Sequence, residues 1–206
     1  MYKSIKTKDI ELKEVYNLMI SGISPRPIAF VSSQDSDGND NLAPFSYFNA
    51  FGSNPPILGF SPANSGRTGK QKDTLLNIRE SKEFTVSIVN YDIVEQTSLA
   101  SSEYSRGIDE FTKSGLEKFQ CTDISASAVK GSPFIMECKL FDIIELGRKP
   151  ASGNLILGEI ILFHISESIL DQFNIIDPVK IDQIGRSGGP WYTEIKKSLF
   201  TLTKPK

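Results

Sequence analysis

Hydrophobic residues along this chain recur at every second position, or cluster with β-branched and aromatic neighbours, in five stretches: 27–33, 56–60, 83–89, 134–146 and 155–166. Each reads as a strand. Asp37-Gly38, set among polar residues after the first stretch, is a hairpin turn signal. Helical spacing is rarer and shorter, at 11–20, 73–80 and 93–101, each segment amphipathic. Because no regular helices of about ten to fifteen residues separate the strands, a doubly wound parallel sheet is disfavoured. The pattern predicts a β-rich fold, a small antiparallel barrel with covering helices. No internal repeat, low-complexity tract or linker interrupts it, so residues 1–206 are expected to form one domain whose last residues, 201–206, fray.

Charge and composition narrow the function. With 23 Lys+Arg against 25 Asp+Glu, the formal charge of −2 offers no basic field for nucleic acid or an anionic membrane. No apolar run approaches the roughly 20 residues that span a bilayer. The start, MYKSIKTKDIELKE, is too polar for a secretory signal, so a soluble, cytoplasmic protein is expected. Cys121 and Cys138 lie far apart without CxxC spacing, which suggests neither a zinc site nor a disulfide framework. His164 is the single histidine, in an apolar alternating run, and reads as a packed or surface strand residue. Multi-histidine metal sites are therefore excluded, and no metal is expected.

The chemistry concentrates in a few segments. Residues 41–60, NLAPFSYFNAFGSNPPILGF, gather small, hydroxyl, amide and aromatic side chains around a turn between two apolar strands, a composition that suits a flat heteroaromatic ligand. Ala43, Pro44 and Gly52 permit close approach to the backbone; Ser46 and Asn49 can hydrogen-bond ring heteroatoms; Phe45, Tyr47, Phe48 and Phe51 offer apolar walls. Residues 61–78, SPANSGRTGKQKDTLLNI, place Ser61, Ser65, Arg67, Lys70, Lys72 and Thr74 ahead of a helix, a cradle for phosphate unless Asp73 caps that helix and repels the anion. Neither GxxxxGK[ST] nor GxGxxG is present, so a mononucleotide is the better anion. Arg26, between Pro25 and Pro27, has an extended backbone that aims its guanidinium. The loops IGRSGGPWY (184–192) and SEYSRGIDEF (102–111) are suited to fold over a planar ligand, form a lid or meet a partner.

These residues carry a resemblance. SPRPIAFVSS (24–33), the DG turn, NLAPFSYFNAFGSNPP (41–56), KDTLLNI (72–78), EFTVSIV (83–89) and LGEIILFHI (157–165) are together similar to the flavin reductase-like, FMN-binding split-barrel family that includes flavoredoxins. The resemblance covers roughly residues 20–170. It implies an antiparallel six-stranded Greek-key split barrel that forms a homodimer with FMN near the interface. It also implies that the isoalloxazine lies beside Ala43, Pro44, Phe45, Ser46 and Asn49, and the phosphate near the 61–74 loop. Which of Ser61, Arg67, Lys72 and Thr74 touch phosphate stays open at this level. Such a protein is expected to be an oxidoreductase in which NADH or NADPH reduces FMN and electrons pass to an unidentified acceptor or redox partner. The alternative is a non-enzymatic FMN carrier reduced by a separate protein. An oxidase related to the pyridoxamine-phosphate group fits the motifs less well.

Overall fold

The computed structural model describes residues 1–205. Helix α1 (Leu12–Gly22) precedes strands β1 (Arg26–Pro27), β2 (Ala29–Gln34), β3 (Asp40–Phe45), β4 (Phe48–Ser53) and β5 (Pro56–Phe60). Helix α2 (Asp73–Ser81) leads into β6 (Glu83–Ile88), and α3 (Val94–Ala100) and α4 (Glu110–Ser114) follow. Two short strands, β7 (Lys118–Phe119) and β8 (Ala128–Val129), precede the long hairpin β9 (Phe134–Glu145) and β10 (Asn154–Ile165). The chain closes with β11 (Ile184–Arg186) and β12 (Tyr192–Glu194). No helix among the described residues is long and apolar enough to cross a membrane.

One sheet holds seven strands in the order β3-β2-β6-β9-β10-β5-β4, every neighbouring pair antiparallel. Its two edge strands, β3 and β4, are consecutive in the chain with only Ser46 and Tyr47 between them. The opposite edges must therefore meet at that corner, and the sheet curls toward a barrel without a ladder sealing it. Ser61 N–H donates to Tyr47 O across the corner at 2.9 Å.

The expected count of six strands is corrected to seven. Residues 41–60 read as one turn between two apolar strands because Asn, Pro, Ser and Gly interrupt their apolar residues, yet Asp40–Phe45 and Phe48–Ser53 form β3 and β4 ahead of β5. Edge position explains the tolerance: Pro44 lacks an N–H but sits on a strand paired on one side only. The expected turn at Asp37-Gly38 is present, with Gly38 at φ 84° and its N–H on Asp35 O.

Strand β2 is buried on both faces, which is why it reads as a continuous apolar run. Ala29 and Val31 face the main core with Leu58, Phe60, Leu75, Phe84 and Ile156. Ile28 and Phe30 face a second cluster with Leu42, Ala100, Phe111 and Ile184, which brings α3 and α4 beside β3. Inside the main core Phe84 lies against the β10 backbone. A Cβ built on Gly158 would stand 2.3 Å from Phe84 Cζ, and Phe84 is itself fully buried. Gly158→Ala is therefore expected to destabilise the protein by roughly 1–3 kcal/mol; a urea melt matching wild type would contradict this close approach.

Candidate functional site

A cleft of about 350 Å³ opens where β3, the 61–72 loop, the start of α2 and the segment after α3 converge. Its wall is Ala43, Pro44 and Phe45; its rim carries Arg67, Lys70 and Lys72; Ser101 and Tyr104 stand opposite. Below it lies a buried polar chain. Thr74 Oγ1 donates to Asn41 Oδ1 at 2.7 Å, Asn41 Nδ2 donates to Glu110 Oε1 at 3.0 Å, and Leu42 N–H donates to Glu110 Oε2 at 2.9 Å. Burial pushes the Glu110 carboxyl above its ordinary range, against the lowering effect of those donors. Glu110 thus occupies the outward N–H of Leu42, and Pro44, two residues on, has none to offer. The edge of β3 is closed to another strand and left as a flat wall.

Electrostatics at the mouth follow from how the acids are spent. Asp73, which the sequence allowed as a cap, instead accepts from Arg106 Nη1 at 3.0 Å. The N-cap position is Lys72, with no side-chain cap, and its carbonyl receives the N–H groups of Leu75 and Leu76. That leaves the N–H groups of Asp73 and Thr74 at the head of α2 without intrahelical acceptors, at the positive end of its dipole. Glu103 pairs with Arg67 across the rim. Lys70 and Lys72 make no ion pair among the described residues. The cleft offers cationic side chains and free amides at one end and apolar side chains at the other.

A second, smaller cleft of about 240 Å³ shares Pro44 and Ser101 with the first and adds Ile28, Ser46, Thr97, Ser98, Arg186 and Tyr192. The 184–192 loop reaches it as the β11–β12 hairpin, while Trp191 stays exposed.

A family model described as the flavin reductase like domain matches residues 21–177. The chain belongs to this family. An uncharacterized protein of Aquifex aeolicus is 32% identical over 187 residues, covering 91% of this chain and 93% of its own length. Nitrilotriacetate monooxygenase component B from Bacillus cereus superposes with a TM-score of 0.90 at 29% identity, over 100% of this chain and 99% of that one. The 2-nitrobenzoate 2-nitroreductase NbaA of Pseudomonas fluorescens gives 0.88 at 30% identity, over 98% and 96%.

In this flavin reductase-like chain the residues expected from sequence divide into three groups. Ala43, Pro44, Phe45, Arg67, Lys72 and Thr74 come together in the first cleft. Ser46 lines the second, its hydroxyl receiving Arg26 Nε at 3.3 Å. Arg26, Asn49 and Ser61 line neither cleft. Arg26 is buried and gives its Nη1 protons to the carbonyls of Ile20 and Ile23, so it ties the end of α1 to β1 rather than reaching outward. Asn49 is exposed on β4 with its Oδ1 on the next amide, Ala50 N–H. Ser61 lies against Gly153, which bridges Ala63, and a Cβ on Gly153 would meet the Ser61 Oγ at 2.7 Å.

Sequence reasoning missed Asn41, Ser101 and Glu110. Glu110 is joined to β3 by bonds spanning 68 and 69 residues, and no local pattern signals such a contact. Of the 102–111 segment, Tyr104 lines the cleft and Arg106 braces Asp73, but Phe111 is core. His164 lines a separate cleft, its ring edge-on to Phe119 and its Nε2 on Glu137.

Proposed function

We propose that the first cleft holds FMN and that the protein is an oxidoreductase taking electrons from NADH or NADPH and passing them to a further acceptor. The observation that carries this reading is one cleft combining free helix amides and unpaired lysines at one end with the Ala43–Pro44–Phe45 wall at the other. A phosphate dianion fits the first end and a flat ring the second. Family membership supports the flavin independently.

FMN, when bound, supplies hydride and electron chemistry that no side chain here provides. The chain binds and orients. Lys70 and Lys72 hold the phosphate, with the Asp73 and Thr74 amides. Thr74 acts through its backbone, since its hydroxyl proton is already on Asn41. Arg67 joins only by leaving Glu103. Ala43 and Pro44 let the ring lie against the backbone. Ser46, fixed by Arg26, presents its hydroxyl toward the second cleft, where a nicotinamide has room beside Pro44.

The test is anaerobic addition of NADH or NADPH to the purified protein. Rapid bleaching of bound flavin is expected. Reduction by dithionite alone would remove the nicotinamide step and favour an electron carrier.

A second copy of the chain is the proposed partner of the outer end of β10, where Ile161, Phe163 and Ile165 recur at alternate positions and are all exposed. Sedimentation showing only monomer at micromolar concentration would contradict it.

A further inference from the structure

The chain has six arginines. Four meet carboxylates: Arg67 with Glu103, Arg79 and Arg148 with Glu145, and Arg106 with Asp73. The two that meet none among the described residues, Arg26 and Arg186, are direct cross-strand partners on β1 and β11. Directly opposed residues of an antiparallel pair project from the same face, where like charges repel and destabilise the pair. With no acid among the described residues between them, each of the two cations needs a use that offsets this repulsion.

The two guanidinium groups meet different fates. Arg26 sits in carbonyl oxygens at the negative end of α1, with Nη1 2.6 Å from Ile23 O, and its charge is used there. Arg186 is paired on its other side with Tyr192, and that register stacks the guanidinium over the phenol ring at 4.4 Å from the centroid. Its Nη1 donates to Trp191 O at 2.8 Å, which fixes the plane and leaves other N–H donors free. Arg186 lines the second cleft, whose remaining polar lining among the described residues is hydroxyl and not carboxylate. Thr97 and Ser101 give their protons to the carbonyls of Ile93 and Ser98, which leaves the hydroxyls of Ser46 and Ser98 to donate. Glu95 and Glu194 line only the next depression past Tyr192, where Glu194 is held by Lys196 and Lys197.

A braced cation beside the free hydroxyls of Ser46 and Ser98, with no acid among the described lining residues, has the donors an anion needs. We propose that Arg186, held by Tyr192, recognises the anionic group of the small redox substrate that enters beside Pro44, a phosphate or carboxylate carried on a planar molecule. The redox character of that substrate rests on the FMN reading; the anion preference does not. Two sources share the chemistry: the phosphates of the nicotinamide donor and the carboxylate of an aromatic acceptor.

Calorimetric titration of the purified protein, with and without FMN, separates them using NADH and benzoate as probes on wild type, Arg186→Gln and Arg186→Lys. Arg186→Gln is expected to weaken one probe by about tenfold or more, with Arg186→Lys intermediate because charge without the planar fork recovers only part. Loss confined to NADH assigns the site to the donor, and loss confined to benzoate assigns it to the acceptor. FMN affinity is expected to stay within about twofold, and the melting temperature of Arg186→Gln to change little, because relief of the repulsion from Arg26 offsets loss of the exposed Tyr192 stack and Trp191 bond. Unchanged affinities for both probes, or no saturable binding of either to wild type, would overturn the proposal. So would a lowered melting temperature with unchanged affinities, which assigns Arg186 to the fold. A protein that binds a probe through Arg186 but not FMN would sink the flavin reading and leave the anion site standing.

Discussion

Replacing Glu137 by alanine is expected to cost about 3–5 kcal/mol of folding stability. Its side chain is fully buried on β9, yet it is a carboxylate. It is tolerated because it accepts three donors: Thr122 N–H at 2.7 Å, Asp123 N–H at 2.8 Å and His164 Nε2 at 2.6 Å. Alanine leaves all three without acceptors and opens a void beneath the 121–123 loop. Glutamine keeps the shape and one carbonyl, so its cost should be smaller. Burial by itself raises the carboxyl of Glu137, but donation from Thr122, His164 and Asp123 outweighs it and holds the group below the ordinary glutamate value of 4.5. A lowered native value stabilises the fold fully above the ordinary one, and the contribution is lost as pH falls through the native value. The gap between wild type and Glu137→Ala should therefore be constant near neutrality and narrow on the acid side. Thermal melts across pH check both statements; an alanine variant melting with wild type at pH 7 would show that these bonds do not hold the 121–123 loop.

In the first cleft, Lys72→Ala is expected to weaken FMN binding by roughly ten- to a hundredfold, the range of one charge-assisted hydrogen bond lost to a dianion. Arg67→Ala should cost less, a few-fold, because Arg67 gives up Glu103 before it can reach phosphate. Glu103→Gln should tighten binding for the same reason, by freeing Arg67 and removing a negative charge from the rim. None of the three should move the melting temperature appreciably, since Arg67, Lys72 and Glu103 are exposed. Fluorescence quenching of added FMN measures the series. Equal affinities in all three variants would remove this rim from the site.

What the sequence made legible follows its physics. β6, β9 and β10 were found within a residue or two at each end because apolar and β-branched residues recur along them, although only β10 writes its burial at period two while β6 and the start of β9 are buried on both faces. The 61–74 segment stood out in the sequence because its hydroxyl and basic residues lie close together, and the structure brings Ser65, Arg67, Lys70, Lys72 and Thr74 to one cleft. β3 and β4 were hidden: the edge strands carry Pro44, Ser53 and Gly52, which at central positions would argue against a strand. The direction of the Arg26 side chain was hidden for a related reason. Flanking prolines do fix its backbone, but the guanidinium direction is set by the carbonyls at the end of α1, and burial depends on β11 returning some 160 residues later. Glu110 and Ser101 were invisible because they enter the cleft through packing of the second core cluster, a property of the assembled sheet rather than of any window of residues.

The cleft between Pro44 and the head of α2 is proposed to hold one mononucleotide. Titrating the purified chain with FMN, followed by flavin absorbance and fluorescence, tests it most directly. Saturable binding of one FMN per chain, weakened by Lys72→Ala, is the expected result. A folded protein that is colourless as purified and shows no saturation with excess FMN would contradict it.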